Sequence, residues 1–101
     1  MEQLNLEQRI DKLCSTITDR HHQRYPNNPI KNFEVIKGKR YYKLMDSGSV
    51  HAFVDINNGY MYKPASYKGP AKIMRYNLLD DTSYEACLHN ADPHGGYLYI
   101  R

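Results

Sequence analysis

The sequence predicts an α+β domain: an N-terminal amphipathic helix packed on an antiparallel β-sheet of about four or five strands, with a short second helix before the last strand. Apolar residues recur at helical spacing in residues 4–24, alternate at a period of two within residues 32–64, and a capping signal opens a second helix at residue 81. A chain of 101 residues is long enough for one modest core. We predict a single domain, 1–101, made of an N-terminal helix and turn (1–30), a β-meander (31–64), a basic loop (65–80), and a short helix with a final strand (81–101).

The first helix is predicted over residues 4–24. Asn5 can cap it, and Gln8, three residues later, completes a capping box. Pro26 ends it, because the residue before a proline avoids helical geometry. A coiled-coil seam is the alternative, but the apolar stripe is short for one and is typical of a helix laid on a sheet. The stripe consists of Leu6, Ile10, Leu13, Cys14 and Ile17.

The β-meander begins with strands predicted at residues 32–36 and 40–46. Residues 37–39 between them form either a tight turn or a bulge within one long strand. Ser47, Gly48 and Ser49 predict a hairpin turn into the next strand. We therefore expect three or four antiparallel strands by residue 64, with one face of the sheet buried and the other in water.

The central hairpin starts at Val50. A three-residue loop, 57–59, with Gly59 in the left-handed region, would pair Ile56 with Tyr60 and Val54 with Tyr62. A two-residue turn would set Val54 against Lys63 instead. We favour the three-residue loop because it keeps the apolar residues on one face. That face would hold Val50, Ala52, Val54, Ile56, Tyr60 and Tyr62.

The second helix is predicted over residues 81–90. Thr82 and Glu85 form a capping box, and the adjacent acids suit the positive end of the helix dipole. Residues 92–96 read as a loop, and residues 97–100 as a last strand that returns to the sheet.

Composition limits the class of protein. Hydrophobic residues make up 41% of the chain and charged residues 25%, as in soluble globular proteins. No apolar run approaches the ~20 residues of a membrane span, and the N-terminus lacks the apolar core of a signal peptide. Two cysteines do not make a disulfide framework, so we expect reduced thiols in a cytosolic protein.

Charge and aromatic content point to a binding surface. The net charge is +3, but residues 31–76 hold nine Lys and Arg against three acids. The chain has ten tyrosines and no tryptophan, which favours half-wet surfaces or a thin core. Single-strand nucleic-acid binders combine basic grooves with stacking aromatics. The candidate contact residues are Lys63, Tyr67, Lys68, Lys72, Arg75 and Tyr76.

The basic excess in residues 31–76 has a simpler interpretation, a solvated face that keeps sheet edges from pairing, which we favour about two to one. Lysine protects sheet edges, and tyrosine packs thin cores. Under the nucleic-acid hypothesis, a platform on the sheet could add to the contact residues of the loop. It would consist of Lys39, Arg40 and Lys43 with Tyr41 or Tyr42.

No metal site or catalytic motif is predicted. Cys14 with His21, and Cys87 with His89 and His94, lack the paired spacing of a structural zinc site. Asp80 and Asp81 lie just before a capping box and are better explained by helix capping than as a carboxylate pair. Nucleophile, phosphate-loop and metalloprotease motifs are absent. We expect neither an enzyme nor a cofactor.

The segments VHAFVD, KPASYKGPAK, RYNLLDD and GGYLYIR resemble a family of short uncharacterised proteins encoded by bacteriophages, which carry a KxASWKxPAKxxRxN core after a hairpin. The resemblance covers residues 40–101 and departs from the core at Tyr67, where the family has tryptophan. It implies a phage origin and a small α+β domain. It implies no catalytic residues. Together with the cytosolic location expected from the reduced thiols, a phage origin predicts the host cytoplasm.

We expect a non-catalytic accessory protein that binds a host or phage protein, or that self-associates through its last strand or first helix. The alternative is single-stranded nucleic-acid binding through the basic, tyrosine-bearing loop. Convergence of the lysines on one surface, and a steep loss of affinity with salt, would distinguish the nucleic-acid hypothesis.

Overall fold

The computed structural model describes residues 5–27, 33–92 and 96–98. Five antiparallel strands form one sheet in the order β1-β2-β3-β4-β5. The predicted fold class is confirmed: a first helix, an antiparallel sheet and a short second helix follow one another. The elements are α1 (Leu6–Arg24), β1 (Phe33–Lys37), β2 (Tyr41–Asp46), β3 (Ser49–Asp55), β4 (Tyr60–Tyr62), β5 (Tyr76–Asn77), α2 (Asp81–Asn90) and a 3-10 turn (Gly96–Leu98).

Helix α1 begins where the capping signal predicts. The Asn5 side chain accepts a hydrogen bond from the Gln8 backbone at 2.9 Å, and the Gln8 side chain accepts one from the Asn5 backbone at 3.0 Å. Its apolar stripe is buried, with Ile10, Leu13 and Ile17 fully excluded from water. The capping box and stripe are both confirmed.

The core lies between one face of the sheet and the two helices. Tyr84 and Cys87 of α2 join the α1 stripe in a single buried cluster. We call the opposite face of the sheet, which α1 does not cover, the outer face. The sheet contributes Tyr42, Leu44, Ala52, Val54 and Met61 to the core.

Arg9 ties α1 to the start of α2. Its guanidinium donates to the Leu78 carbonyl at 2.9 Å and to the Asp81 carboxylate at 2.6 Å. The same group lies 4.7 Å from the centre of the Tyr84 ring. These contacts explain how an arginine on the buried side of α1 is only 5% exposed.

The segment between β1 and β2 is a turn, not a bulge. The Gly38 N–H donates to the Tyr41 carbonyl at 2.9 Å, and Lys37 pairs with Tyr42. The β2–β3 connection is tight, as predicted, with Ser47 at φ 50° and Gly48 at φ 92°.

The predicted register of the β3–β4 hairpin is wrong by one residue. Val54 pairs with Met61 rather than with Tyr62, so the connection spans residues 56–59. The Asp55 side chain accepts the Asn57 N–H at 2.8 Å, and the Asp55 carbonyl accepts the Gly59 N–H at 2.9 Å. These bonds stabilise the longer loop. Met61 is therefore buried in the core, and Tyr62 moves to the outer face opposite Phe53.

A β-bulge separates Val50 from the face predicted for it. Leu44 pairs with Ala52 but Met45 pairs with Val50, leaving His51 as the extra residue. His51 turns toward the core side, where its ring lies 5.3 Å from Phe33. Val50 is consequently placed on the outer face.

The second helix has the predicted bounds and a different cap. The cap is Asp80 and not Thr82. The Asp80 carboxylate accepts a hydrogen bond from the Ser83 N–H at 2.9 Å. Residues 76–77 of the predicted basic loop form β5, the last strand of the described sheet.

Residues 96–98, which include the start of the predicted last strand, form a 3-10 turn. Its Tyr97 hydroxyl lies 2.6 Å from His51 Nε2, and Leu98 is buried in the core. The remainder of that predicted strand, residues 99–100, lies outside the described residues.

Candidate binding site

The basic loop folds into a small hairpin of its own. The Ala71 N–H donates to the Lys63 carbonyl at 2.8 Å, and the Ala65 N–H donates to the Gly69 carbonyl at 3.0 Å. Within the loop, the Lys68 N–H donates to Ser66 Oγ at 3.2 Å. Pro64 and Pro70 face each other across the hairpin. Proline fixes φ at both positions, and the tip of the hairpin presents Tyr67, which is 60% exposed.

The tip of this hairpin packs against the outer face. Lys43 Nζ lies 4.1 Å from the centroid of the Tyr67 ring and 5.8 Å from that of Phe53. A cleft of about 360 Å³ separates residues 64–67 from residues 48–50. The structure therefore joins the loop and the sheet platform into one surface.

Aromatic rings form the floor of that surface. The Tyr41 ring meets Phe53 edge-on at 6.0 Å and Tyr62 edge-on at 6.1 Å. Burial is the largest cause that raises the pKa of the Tyr62 hydroxyl. The choice left open between Tyr41 and Tyr42 is settled by the register. Tyr42 lies beneath α1, where its hydroxyl donates to Glu7 at 2.6 Å.

Cations surround a cleft of about 230 Å³ beside this floor, lined on its apolar side by Ile36, Tyr41 and Phe53. The guanidinium of Arg40 lies 5.2 Å from the Tyr41 ring centroid, and its Nε lies 3.4 Å from the buried Asp55 carboxylate. The other cations lining the cleft are Lys39, Lys43 and Lys68. We call the surface formed by Lys39, Arg40, Tyr41, Lys43, Tyr62, Tyr67 and Lys68 the basic aromatic face.

Two of the six predicted contact residues, Tyr67 and Lys68, lie on the basic aromatic face. Lys63 is half-buried at the base of the loop hairpin, and Lys72 is exposed just beyond it. The other two have structural contacts. The Arg75 guanidinium donates to the carbonyls of Leu98 and Ile73, and the Tyr76 ring packs against Tyr97.

The sequence prediction missed Tyr62 as part of the basic aromatic face and Phe53 as the buried ring beneath it. Both follow from the strand alternation once Tyr62 is set opposite Phe53. The signal was present in the sequence, but the loop length assigned to residues 57–59 placed Tyr62 on the wrong face.

Neither thiol is in a state suited to catalysis or metal binding. Burial raises the pKa of Cys87 to about 12, and burial together with nearby Asp11 raises that of Cys14 to about 12. Protonated, buried thiols are poor nucleophiles and poor metal ligands. Within residues 5–27, 33–92 and 96–98, no three His, Cys, Asp or Glu side chains cluster as a metal site would require. His94, which was considered with Cys87 and His89 as a possible zinc ligand, lies outside the described residues.

No helix in the described part of the chain has the length and apolar character needed to cross a bilayer.

The model of one family, described as "Family of unknown function (DUF7717)", matches residues 2–100. That match extends well beyond residues 40–101, which carry the resemblance noted in the sequence. No curated protein and no solved structure matches the chain.

Proposed function

Because the chain belongs to DUF7717, a family of unknown function, we propose its function from its own surface: the basic aromatic face binds single-stranded nucleic acid. The observation that carries the proposal is the convergence of Lys43 and Tyr67, whose ammonium and ring lie 4.1 Å apart. Residues 24 positions apart in the chain thereby bring charge and a stacking ring to one place, as single-strand binding requires.

The residues divide into two roles. Tyr67 stacks on a base, because its ring is 60% exposed and fixed in position by Lys43. Lys39, Lys43 and Lys68 line one cleft and neutralise successive phosphates. Arg40 adds a fourth cation; its contact with Asp55 leaves the side chain 69% exposed.

The proposal includes the absence of catalysis. Both thiols are buried with raised pKa values. Asp80 caps α2, and Asp81 accepts a hydrogen bond from Arg9. Packing and hydrogen bonding therefore account for the thiols and carboxylates that would be the candidate catalytic groups.

The test is a titration of a fluorescent single-stranded oligonucleotide at ~50 and ~200 mM salt. Three to four neutralised phosphates predict that affinity falls roughly 20- to 50-fold over this range. Tyr67→Ala should weaken binding about 5- to 150-fold at fixed salt, the value of one stacked base. Lys12→Ala is the matched control, because Lys12 is an exposed lysine on α1, across the sheet from the basic aromatic face.

The double change Lys68→Ala, Lys72→Ala should also weaken binding without lowering thermal stability. A large loss of stability would make these lysines structural. Absence of binding at ~50 mM salt would refute the proposal outright.

A protein partner is the second proposal, supported by exposed apolar side chains in the part of residues 65–80 that follows the loop hairpin. Ile73 is 59% exposed, Met74 39% and Leu79 44%. An interface anchored on these residues predicts affinity that changes little with salt, and loss of binding in Ile73→Ser.

We also propose that the protein originates from a bacteriophage and acts in the host cytoplasm, whichever partner it binds. It is supported by the resemblance of KPASYKGPAK and RYNLLDD to phage-encoded proteins. Detection of the transcript only after phage infection would test it.

A further inference from the structure

Strand β1 forms an open edge of the sheet. It pairs with β2 on one side, and no other strand in the described part of the chain pairs with it. Val35 and Ile36, which point to opposite faces, are 38% and 46% exposed. An edge strand with apolar side chains and unpaired backbone groups is a template for another strand.

The hydrogen-bond pattern shows which backbone groups face outward. The Gly38 N–H donates to the Tyr41 carbonyl, so Gly38 and every second residue before it bond toward β2. The N–H and C=O groups of Phe33, Val35 and Lys37 therefore point away from the sheet. These three alternate residues present enough outward-facing N–H and C=O groups to pair with a short strand.

Lys37 does not protect this edge. Its Nζ lies 4.0 Å from Glu7 and 6.0 Å from the centroid of the Tyr42 ring. The side chain thus extends over the sheet toward α1 instead of across the edge, where a lysine would repel an incoming strand.

We propose that β1 pairs antiparallel with β1 of a second copy, about a two-fold axis that lies midway between the two copies of Val35. Val35 then faces Val35 in a hydrogen-bonded pair, Phe33 faces Lys37, and Glu34 faces Ile36. This register uses the outward-facing groups of both strands and keeps the two helical layers on the same side of one continuous sheet. It does not depend on nucleic-acid binding.

The space beside β1 fits this occupant. A groove of about 500 Å³ runs between α1 and β1, lined by Phe33 and Val35 and by the acids Asp11 and Asp19. Lys37 of the second copy lies opposite Phe33, so its positive charge borders the groove that Asp11 and Asp19 line, while its Nζ keeps the contact with Glu7 of its own chain. Two such contacts form across the axis, which favours this register over one that sets Glu34 against Glu34.

The test is sedimentation of the full chain at concentrations from about 1 to 300 µM, the range for a small interface. The wild type should pass from monomer to dimer. Val35→Pro should raise the dissociation constant at least tenfold, because proline removes an outward N–H without breaking a β1–β2 hydrogen bond. Val35→Ala keeps that N–H and should remain a dimer. A wild type that stays monomeric throughout, or a Val35→Pro variant that dimerises normally, would overturn the proposal.

A cross-link provides a second measurement that does not depend on the folding of the proline variant. Val35→Cys places two thiols across the axis at a spacing compatible with a disulfide. Mild oxidation should yield a dimer linked through residue 35, identified by peptide mapping. Glu34→Cys is the control, since its counterpart in this register is Ile36. Equal cross-linking of both variants would contradict the register.

Discussion

Lys43 Nζ lies 4.1 Å from the centroid of the Tyr67 ring, and this contact fastens the tip of the loop hairpin to the middle of the sheet. A tyrosine that is 60% exposed would otherwise lose rotamer freedom on binding a ligand. Here an ammonium covers the ring from the sheet side, an arrangement worth about 0.5–1 kcal/mol at exposed sites.

Tyr67→Trp should report binding directly. The chain has no tryptophan, so this variant carries a single fluorophore at the proposed stacking position. Its fluorescence should be quenched by a single-stranded oligonucleotide at low salt and should recover as salt is added. Tyr25→Trp, at the exposed residue that follows α1, is the control and should not respond. Equal quenching at both positions would indicate non-specific association.

Arg9→Met should lower the free energy of unfolding by about 2 kcal/mol, because it leaves the buried Leu78 carbonyl without its donor. The Asp81 contact contributes less, since that carboxylate side chain is 65% exposed. Urea unfolding measures the difference. Lys12→Met on the exposed side of α1 should change stability by less than about 0.5 kcal/mol. Similar losses in both variants would mean that Arg9 does not connect the helices as described.

Gly59→Ala should cost about 2–4 kcal/mol of unfolding free energy. Gly59 has φ +73°, and a Cβ there would lie 2.7 Å from Leu79 Cγ and 3.1 Å from the Leu79 backbone nitrogen. Gly48→Ala, at φ +92° with open space, should cost only about 1 kcal/mol. Gly69→Ala meets nothing within 4 Å and should be neutral or slightly stabilising. Thermal unfolding of the three variants should follow this order, and a Gly59→Ala variant as stable as Gly48→Ala would contradict the described packing.

Stability should fall as the pH rises above 9. Burial raises the pKa of Cys87 from 9.0 to about 12, so the unfolded chain releases this proton first. The stabilisation is complete below pH 9 and is lost progressively as the pH approaches 12. Cys14, and Tyr42 through its hydrogen bond to Glu7, act in the same direction. Urea unfolding between pH 8 and about 10.5 measures the slope.

Cys87→Ala isolates one contribution to that slope. The variant should be less stable at pH 8, because it opens a cavity, but its stability should decline less steeply with pH. An unchanged slope would mean that Cys87 ionises alike in the folded and unfolded chains.

Local signals in the sequence predicted the elements well and their register less well. The Asn5–Gln8 capping box and the α1 stripe depend on near neighbours, and both were confirmed. The faces of β3 and β4 depend on parity, so one extra loop residue moved Tyr62 to the other face. The bulge at His51 did the same for Val50, and no residue type in the sequence announces it.

The candidate site was predicted in part for the same reason. Tyr67 and Lys68 were found because the loop is distinctive in composition. Arg75 and Tyr76 continue the same pattern of bases and aromatics, but their contacts with residues 97–98 join distant parts of the chain. Composition does not reveal such long-range contacts, which engage both side chains in the folded chain.

The burial of Leu98 has a consequence for how the chain folds during synthesis. Leu98 is 1% exposed and belongs to the same core cluster as Ile10 of α1. The hairpins of the sheet need only local contacts and can form early, whereas the apolar stripe of α1 acquires its full cover only when the other end of the chain is available. Until residues 78–98 have left the ribosome, the part of the core that they complete stays open. Translation through the last quarter of the chain thus sets the earliest moment at which the native core can close.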